Sequence, residues 1–127
     1  MLSETANVRR SLHRTSLIAL GRRHLVRARN SPPGASLQAL HDDAAEATIW
    51  LVAMIAGRVL PELATGDGTA LQVLHGQVQV VRAGRSVTAF PGDLVVGALR
   101  RLEVISLTDS VVLVTGGSGR LPVKAAS

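Results

Sequence analysis

From Ser36 onward the sequence consists of short apolar runs separated by turn-forming residues, and this punctuation constrains the fold more than any other feature. The runs are rich in Val, Leu and Ile, and glycine and aspartate recur between them. Strands of about five to seven residues with turn signals at intervals of about 8 to 12 are typical of all-β sandwiches and barrels. We therefore predict an all-β domain over residues 36–118.

The stretch VLHGQVQVVRAGRSVTAF (residues 73–90) predicts two tight hairpins in succession. Gly76 and Gly84 stand at the two turns, where glycine readily adopts the positive φ angles that short hairpin turns need.

Residues 1–35 differ from the rest and read as a helical leader followed by a linker. Ser3 can cap a helix, and apolar residues recur at Val8, Leu12, Ala19 and Leu20. This spacing predicts an amphipathic helix that ends near Gly21. The segment NSPPG (residues 30–34) then excludes further helix, because proline lacks the backbone donor. Residues 119–127 show no apolar periodicity, and we predict a flexible tail there.

The leader carries most of the positive charge. Residues 1–30 hold seven arginines and one acid, so their net charge of 7 − 1 = +6 exceeds the +5 of the whole chain. Such a helix can bind nucleic-acid phosphates without sequence preference. It can also pack its apolar stripe on the barrel or on a partner subunit and leave the arginines in water. We favour the packing interpretation.

Composition indicates a single domain. A chain of 127 residues suffices for one compact unit, and the absence of cysteine excludes disulfides and thiolate metal sites.

Apolar runs stay well below the roughly 20 residues that span a bilayer, so we expect no membrane association. The bias toward Ala, Arg, Val and Gly suggests a GC-rich bacterial source. We predict a cytoplasmic protein.

Two segments carry a resemblance to a known superfamily. The stretch from Gly57 to Gly76 and the sequence PGDLVV (residues 91–96) have the order and spacing of paired glycine-containing motifs. In this respect the chain resembles the cupin superfamily, whose first motif is G-x5-H-x-H-x3or4-E-x6-G. The resemblance implies a double-stranded β-helix, or jelly-roll barrel, preceded here by an N-terminal α-helix.

The resemblance also implies where metal ligands would stand, and this chain lacks them. The three ligand positions of the first motif fall on Leu63, Thr65 and Thr69. The fourth falls on Leu102 if counted back from the turn at Asp109, or on Glu103 if counted forward from Gly92. We favour Leu102. Leucine has no donor atom and a neutral threonine hydroxyl is a poor ligand, so we predict no metal and no cofactor.

A barrel without ligands predicts an apolar pocket in place of a metal centre, and hence a module that binds a small apolar or weakly polar ligand or serves a structural role. Six residues are expected to line it: Leu63, Thr65, Thr69, Leu71, Val73 and Leu102. Three polar residues are expected at its mouth: Arg100, Arg101 and Glu103.

Two other functions follow from other residues. A divergent cupin enzyme, of oxygenase or isomerase type, would need Glu103 together with His41 or His75. A nucleic-acid-associated regulator would act through the arginine-rich leader. The remaining histidines, His13 and His24, lie in that leader, and we expect both to be solvated.

The segment ATIWLVAMI (residues 47–55) is apolar on both faces of its predicted strand. Trp50 and Val52 alternate with Leu51 and Ala53, so both faces must be covered. One face can line the barrel, and the other requires the leader helix or a second subunit. Because two-fold pairing is the commonest form of soluble oligomer, we predict a homodimer.

Overall fold

The computed structural model of the protein describes residues 14–40, 47–66 and 68–118. Its helices are α1 (Leu17–Arg29), α2 (Glu62–Thr65) and a 3-10 helix (Leu99–Arg101). Its strands are β1 (Ala35–Ala39), β2 (Ala47–Met54), β3 (Gly68–His75), β4 (Val78–Arg82), β5 (Arg85–Ala89), β6 (Leu94–Val96), β7 (Glu103–Ser106) and β8 (Ser110–Ser118).

The strands form two antiparallel sheets with one apolar core between them. The five-stranded sheet has the order β1-β2-β8-β3-β6, and the three-stranded sheet has the order β5-β4-β7. Both sheets contribute fully buried side chains to the core, among them Leu71 and Val112 from the first and Val78 and Val104 from the second. The predicted all-β architecture with an N-terminal helix is confirmed.

The alternation of side chains along β3 separates the two faces of the five-stranded sheet. Leu71 and Val73 face the core and have no exposed surface. Gln72 and Leu74, which alternate with them along the strand, are half-buried on the opposite face. We call the side facing the three-stranded sheet the inner face and the other side the outer face. Cross-strand partners share a face, so Leu51 and Leu113 also lie outward.

Helix α1 begins at the Ser16 cap, whose side-chain oxygen accepts a hydrogen bond from the Ala19 amide at 3.3 Å. It ends at Arg29, immediately before NSPPG, as the two prolines predict. The predicted end near Gly21 is wrong, because the helix continues through that glycine. A Cβ at Gly21 would lie 3.2 Å from Val111 Cγ1, so glycine serves there to bring the helix close to β8. The part of the predicted helix before Arg14 lies outside the described residues.

Helix α1 covers part of the outer face. Leu20 and Leu25 of the helix form a second buried cluster with Leu51, Ala53 and Val111 of β2 and β8. The predicted packing of the leader on the barrel is therefore confirmed, and the doubly apolar β2 strand is covered by the helix of the same chain.

The two predicted hairpins have different outcomes. Strands β4 and β5 form a hairpin whose two-residue turn, Ala83 and Gly84, has φ angles of 51° and 80°. The hairpin predicted at Gly76 is wrong, because β3 and β4 belong to different sheets. Gly76, with φ of 81°, turns the chain from one sheet to the other, and a Cβ there would collide with the carbonyl oxygen of Asp109.

Within the ranges described above, no helix is long and apolar enough to cross a lipid bilayer.

Candidate functional site

The centre of the barrel is filled with apolar side chains. Leu71 and Val73 extend inward from β3, and Leu99 of the 3-10 helix packs into the same core cluster. None of the three retains accessible surface. A void wide enough for water would expose part of the side chains around it, so no such void lies against these residues.

Of the six residues predicted to line an internal pocket, the structure describes the side chains of four. Leu71 and Val73 are core residues, and Leu102 is half-buried against the same core. Thr69 is exposed, and its hydroxyl donates a hydrogen bond to the Thr115 carbonyl oxygen at 3.3 Å. The pairing of β3 with β8 shifts register between Gly68 and Ala70, so the strict alternation that would turn Thr69 inward is interrupted. Leu63 and Thr65 belong to α2, and their side chains lie outside the description.

The alternation of side chains at the start of β7 shows which of Leu102 and Glu103 faces the core. Leu102 packs on the core, Glu103 is exposed, and Val104 is buried. Glu103 therefore offers no carboxylate to the interior. Arg100 and Arg101 are both exposed on the 3-10 helix, beside the buried Leu99.

His24 departs from the prediction that it is solvated, since only 2% of its surface is exposed. Its Nδ1 lies 2.5 Å from Ser36 Oγ and its Nε2 lies 2.8 Å from Gln38 Oε1, so both ring nitrogens have partners on β1. The burial of His24 could have been predicted from the sequence, because Leu20, His24 and Ala28 recur at helical spacing on one face. His24 thus links α1 to the sheet. His75 is exposed at the end of β3, and His13 and His41 lie outside the described residues.

A cavity of about 840 Å³ lies on the outer face, between α1 and the neighbouring ends of β3 and β8. We call it the helix groove. Its apolar walls consist of Leu17, Ile18, Leu25 and Val26 from the helix and Leu74 and Val111 from the strands. Sequence reasoning missed this groove, because it depends on where the helix rests on the sheet.

Three polar side chains complete the groove: Arg22, Arg29 and His75. Arg29 already pairs with Asp109, with Nη2 and Nε lying 3.0 and 3.1 Å from the same carboxylate oxygen. The other carboxylate oxygen of Asp109 accepts a hydrogen bond from the Ala56 amide at 3.0 Å. No ion pair joins Arg22 to another residue in the part of the chain that the structure describes.

Solved structures with the same architecture identify the fold. An RmlC-like cupin protein from Desulfovibrio desulfuricans matches with a TM-score of 0.55 and 24% identity, over 68% of this chain and 85% of that one. A Cupin 2 conserved barrel domain protein from Salinispora arenicola matches with a TM-score of 0.58 and 16% identity, over 72% and 82%. This chain has the cupin fold. The predicted double-stranded β-helix is confirmed.

Cupin neighbours of this chain differ in activity. A salicylate 1,2-dioxygenase from Pseudaminobacter salicylatoxidans matches with a TM-score of 0.60 and 17% identity, over 85% of this chain and 35% of the enzyme. At such identities the likeness extends to the fold and not to the chemistry. No protein-family model matches the sequence, and the search of curated proteins gave no match.

The described residues of the inner face do not fit a metal ion. No three His, Asp or Glu side chains converge anywhere in residues 14–40, 47–66 and 68–118. At the centre, Leu71, Val73 and Leu99 supply only carbon atoms. A first-row metal requires three or four N, O or S donors at about 2.0–2.3 Å, so these described inner-face residues cannot hold one.

Proposed function

We propose that this protein is a metal-free, non-catalytic cupin of the cytoplasm that serves as a small-molecule-binding and dimerisation module. The observation that carries the proposal is the filled centre of the barrel, where Leu71, Val73 and Leu99 belong to one core cluster and are fully buried. A catalytic cupin needs an open, donor-lined centre, whereas close-packed leucine and valine stabilise the sheets against each other.

The enzyme alternative receives no support from the two described residues that it invokes. Glu103 is exposed on β7, and its neighbour Val104 is the residue that faces the core. His75 is exposed at the opposite end of β3 from Thr69, on the outer side where the helix groove lies. General acid-base chemistry needs groups within hydrogen-bond reach of one substrate, which this placement does not favour.

Metal analysis of untagged protein tests the proposal. We expect substoichiometric zinc, iron, manganese, nickel and copper, and a melting temperature that EDTA does not change, because no folding energy comes from a metal. The Glu103→Gln and His75→Ala variants serve as matched controls and should give the same metal content. About one tightly held transition metal per chain, lost in either variant, would contradict the proposal and favour the enzyme.

The dimerisation part rests on the half of the outer face that α1 leaves bare. Strand β6 is an edge strand, and its Leu94 and Val96 are 61% and 74% exposed. They lie beside Gln72 and Ala70 of β3 on the outer face. An exposed apolar strip on a sheet edge favours association, and a two-fold axis would cover two such strips at once.

The mass of the protein in solution tests this pairing. We expect light scattering after size exclusion to give twice the 13.3 kDa of one chain for the wild type, and 13.3 kDa for Leu94→Lys combined with Val96→Lys. Val87→Lys is the control, because Val87 is an exposed apolar residue of the other sheet. A monomeric wild type, or a dimer that the double variant leaves intact, would refute this interface.

Nucleic-acid association stays a prediction. Arg22, Arg23 and Arg27 are exposed on α1, as binding to phosphates would require. Their exposure is equally expected of a helix that packs its apolar stripe on a sheet.

A further inference from the structure

We propose that the helix groove binds an apolar monocarboxylate, such as a fatty acid of medium chain length. The inference rests on the proposed small-molecule-binding function and moves its site from the barrel interior to the outer face. Three properties of the groove support it: its size, its uncompensated charge and the fixed position of its helical wall.

The size and lining of the groove suit a small apolar molecule. Its volume of about 840 Å³ lies within the range of roughly 300–1,000 Å³ typical of small-molecule sites. Ile18 and Val26, which stand on the helical wall one above the other, are 71% and 52% exposed. Leu74 and Val111 supply apolar surface on the sheet side. A hydrocarbon body in the groove would remove this surface from water, which is favourable in proportion to the area buried.

The charge of the groove indicates an anionic group with a single charge. Arg29 is neutralised by Asp109, whereas Arg22 has no acidic partner among the described residues. None of the described residues that line the groove is acidic. One uncompensated guanidinium complements one carboxylate, with which arginine can form two parallel hydrogen bonds. A dianionic phosphate would leave one negative charge unmatched.

The helical wall is held in place before any ligand arrives. Gly21 allows α1 to lie against Val111, and His24, about one turn further along the same buried face, joins the helix to Ser36 and Gln38 of β1. At the end of the helix, the ion pair of Arg29 provides a further attachment. A preformed site loses little conformational entropy on binding, and its affinity is correspondingly higher.

Calorimetric titration of the full chain with decanoate, below its micellar concentration, tests the inference. We expect saturable binding of one decanoate per chain. Decanol, which has the same chain and no charge, should bind about tenfold more weakly, because the charge-assisted hydrogen bonds to Arg22 are lost. Decyl phosphate should bind no more tightly than decanoate.

Variants of neighbouring arginines provide the matched control. Arg22→Gln should weaken decanoate binding by about tenfold and leave decanol binding unchanged. Arg23→Gln should change neither, because Arg23 is exposed on the same helix and does not line the groove. Backbone amide resonances of Gly21 and Leu74 should shift on titration.

Several results would overturn the inference. They are the absence of saturable binding to the wild type, equal affinity for decanoate and decanol, tighter binding of decyl phosphate, or equal losses in the two arginine variants. The comparison of decanoate with decanol uses wild-type protein and does not depend on any variant folding. Metal analysis concerns the barrel interior alone, so failure of the metal-free proposal and failure of the groove are separate results.

Discussion

The two faces of the five-stranded sheet differ in how completely they are covered. The inner face is closed by the second sheet, and its Leu71 and Val73 have no accessible surface. The outer face is covered by α1 over β2 and part of β8, and bare over β6, with the helix groove at the edge of the cover. When the centre of a barrel carries leucine and valine in place of ligands, that centre is stabilised by packing. The helix groove lies instead where α1 incompletely covers the outer face.

The largest expected effect comes from truncating neighbours on opposite faces of β3. Leu71→Ala should lower the free energy of unfolding by about 2–5 kcal/mol, because it leaves a cavity in a close-packed core. Gln72→Ala, one residue away on the outer face, should cost less than about 1 kcal/mol. Urea denaturation followed by far-ultraviolet circular dichroism measures both. Similar losses at the two positions would mean that the faces do not differ as described.

A second pair of variants tests the close approach of the backbone at Gly76, where the chain passes from one sheet to the other. Gly76 and Gly84 have φ angles of 81° and 80°, so alanine is strained to the same degree at both. Gly84→Ala should cost about 1–2 kcal/mol from backbone strain alone. Gly76→Ala should cost about 1–3 kcal/mol more, because its Cβ would collide with the carbonyl oxygen of Asp109 and the backbone must shift. Equal melting temperatures for the two variants would contradict this close approach.

A smaller effect is expected at the attachment of the helix to the outer face. His24→Ala removes a buried side chain with two hydrogen-bonded partners on β1, and should cost about 1–3 kcal/mol. Arg23→Ala is the control, since that side chain is exposed, and should stay within about 0.5 kcal/mol. Hydrogen exchange should show faster exchange of the α1 amides in His24→Ala, with the β3 and β8 amides still protected. Uniform loss of protection would mean that the helix and the barrel unfold together.

The sequence predicted the architecture because strand patterns and turn residues act locally. The β4–β5 hairpin and the need for a second layer on β2 each follow from a few neighbouring residues.

Predictions that depended on long-range geometry failed or were missed. Gly76 has the residue type of a hairpin turn, and only the assembled sheets show that it crosses between them. Gly21 was expected to end the helix, because glycine often does so. Its close approach to Val111 shows that it allows packing instead. The helix groove required the position of α1 on the sheet, which no local pattern specifies.

The ion pair between Arg29 and Asp109 joins residues separated by 80 positions in the chain. Helix α1 also packs on Val111, so its attachment site is completed only by β8. During synthesis the helix leaves the ribosome well before the strand on which it rests. The helix therefore meets β1 and β2 first, and its contacts with Asp109 and Val111 form only after β8 has been made. The arginines along that helix keep it soluble through this interval.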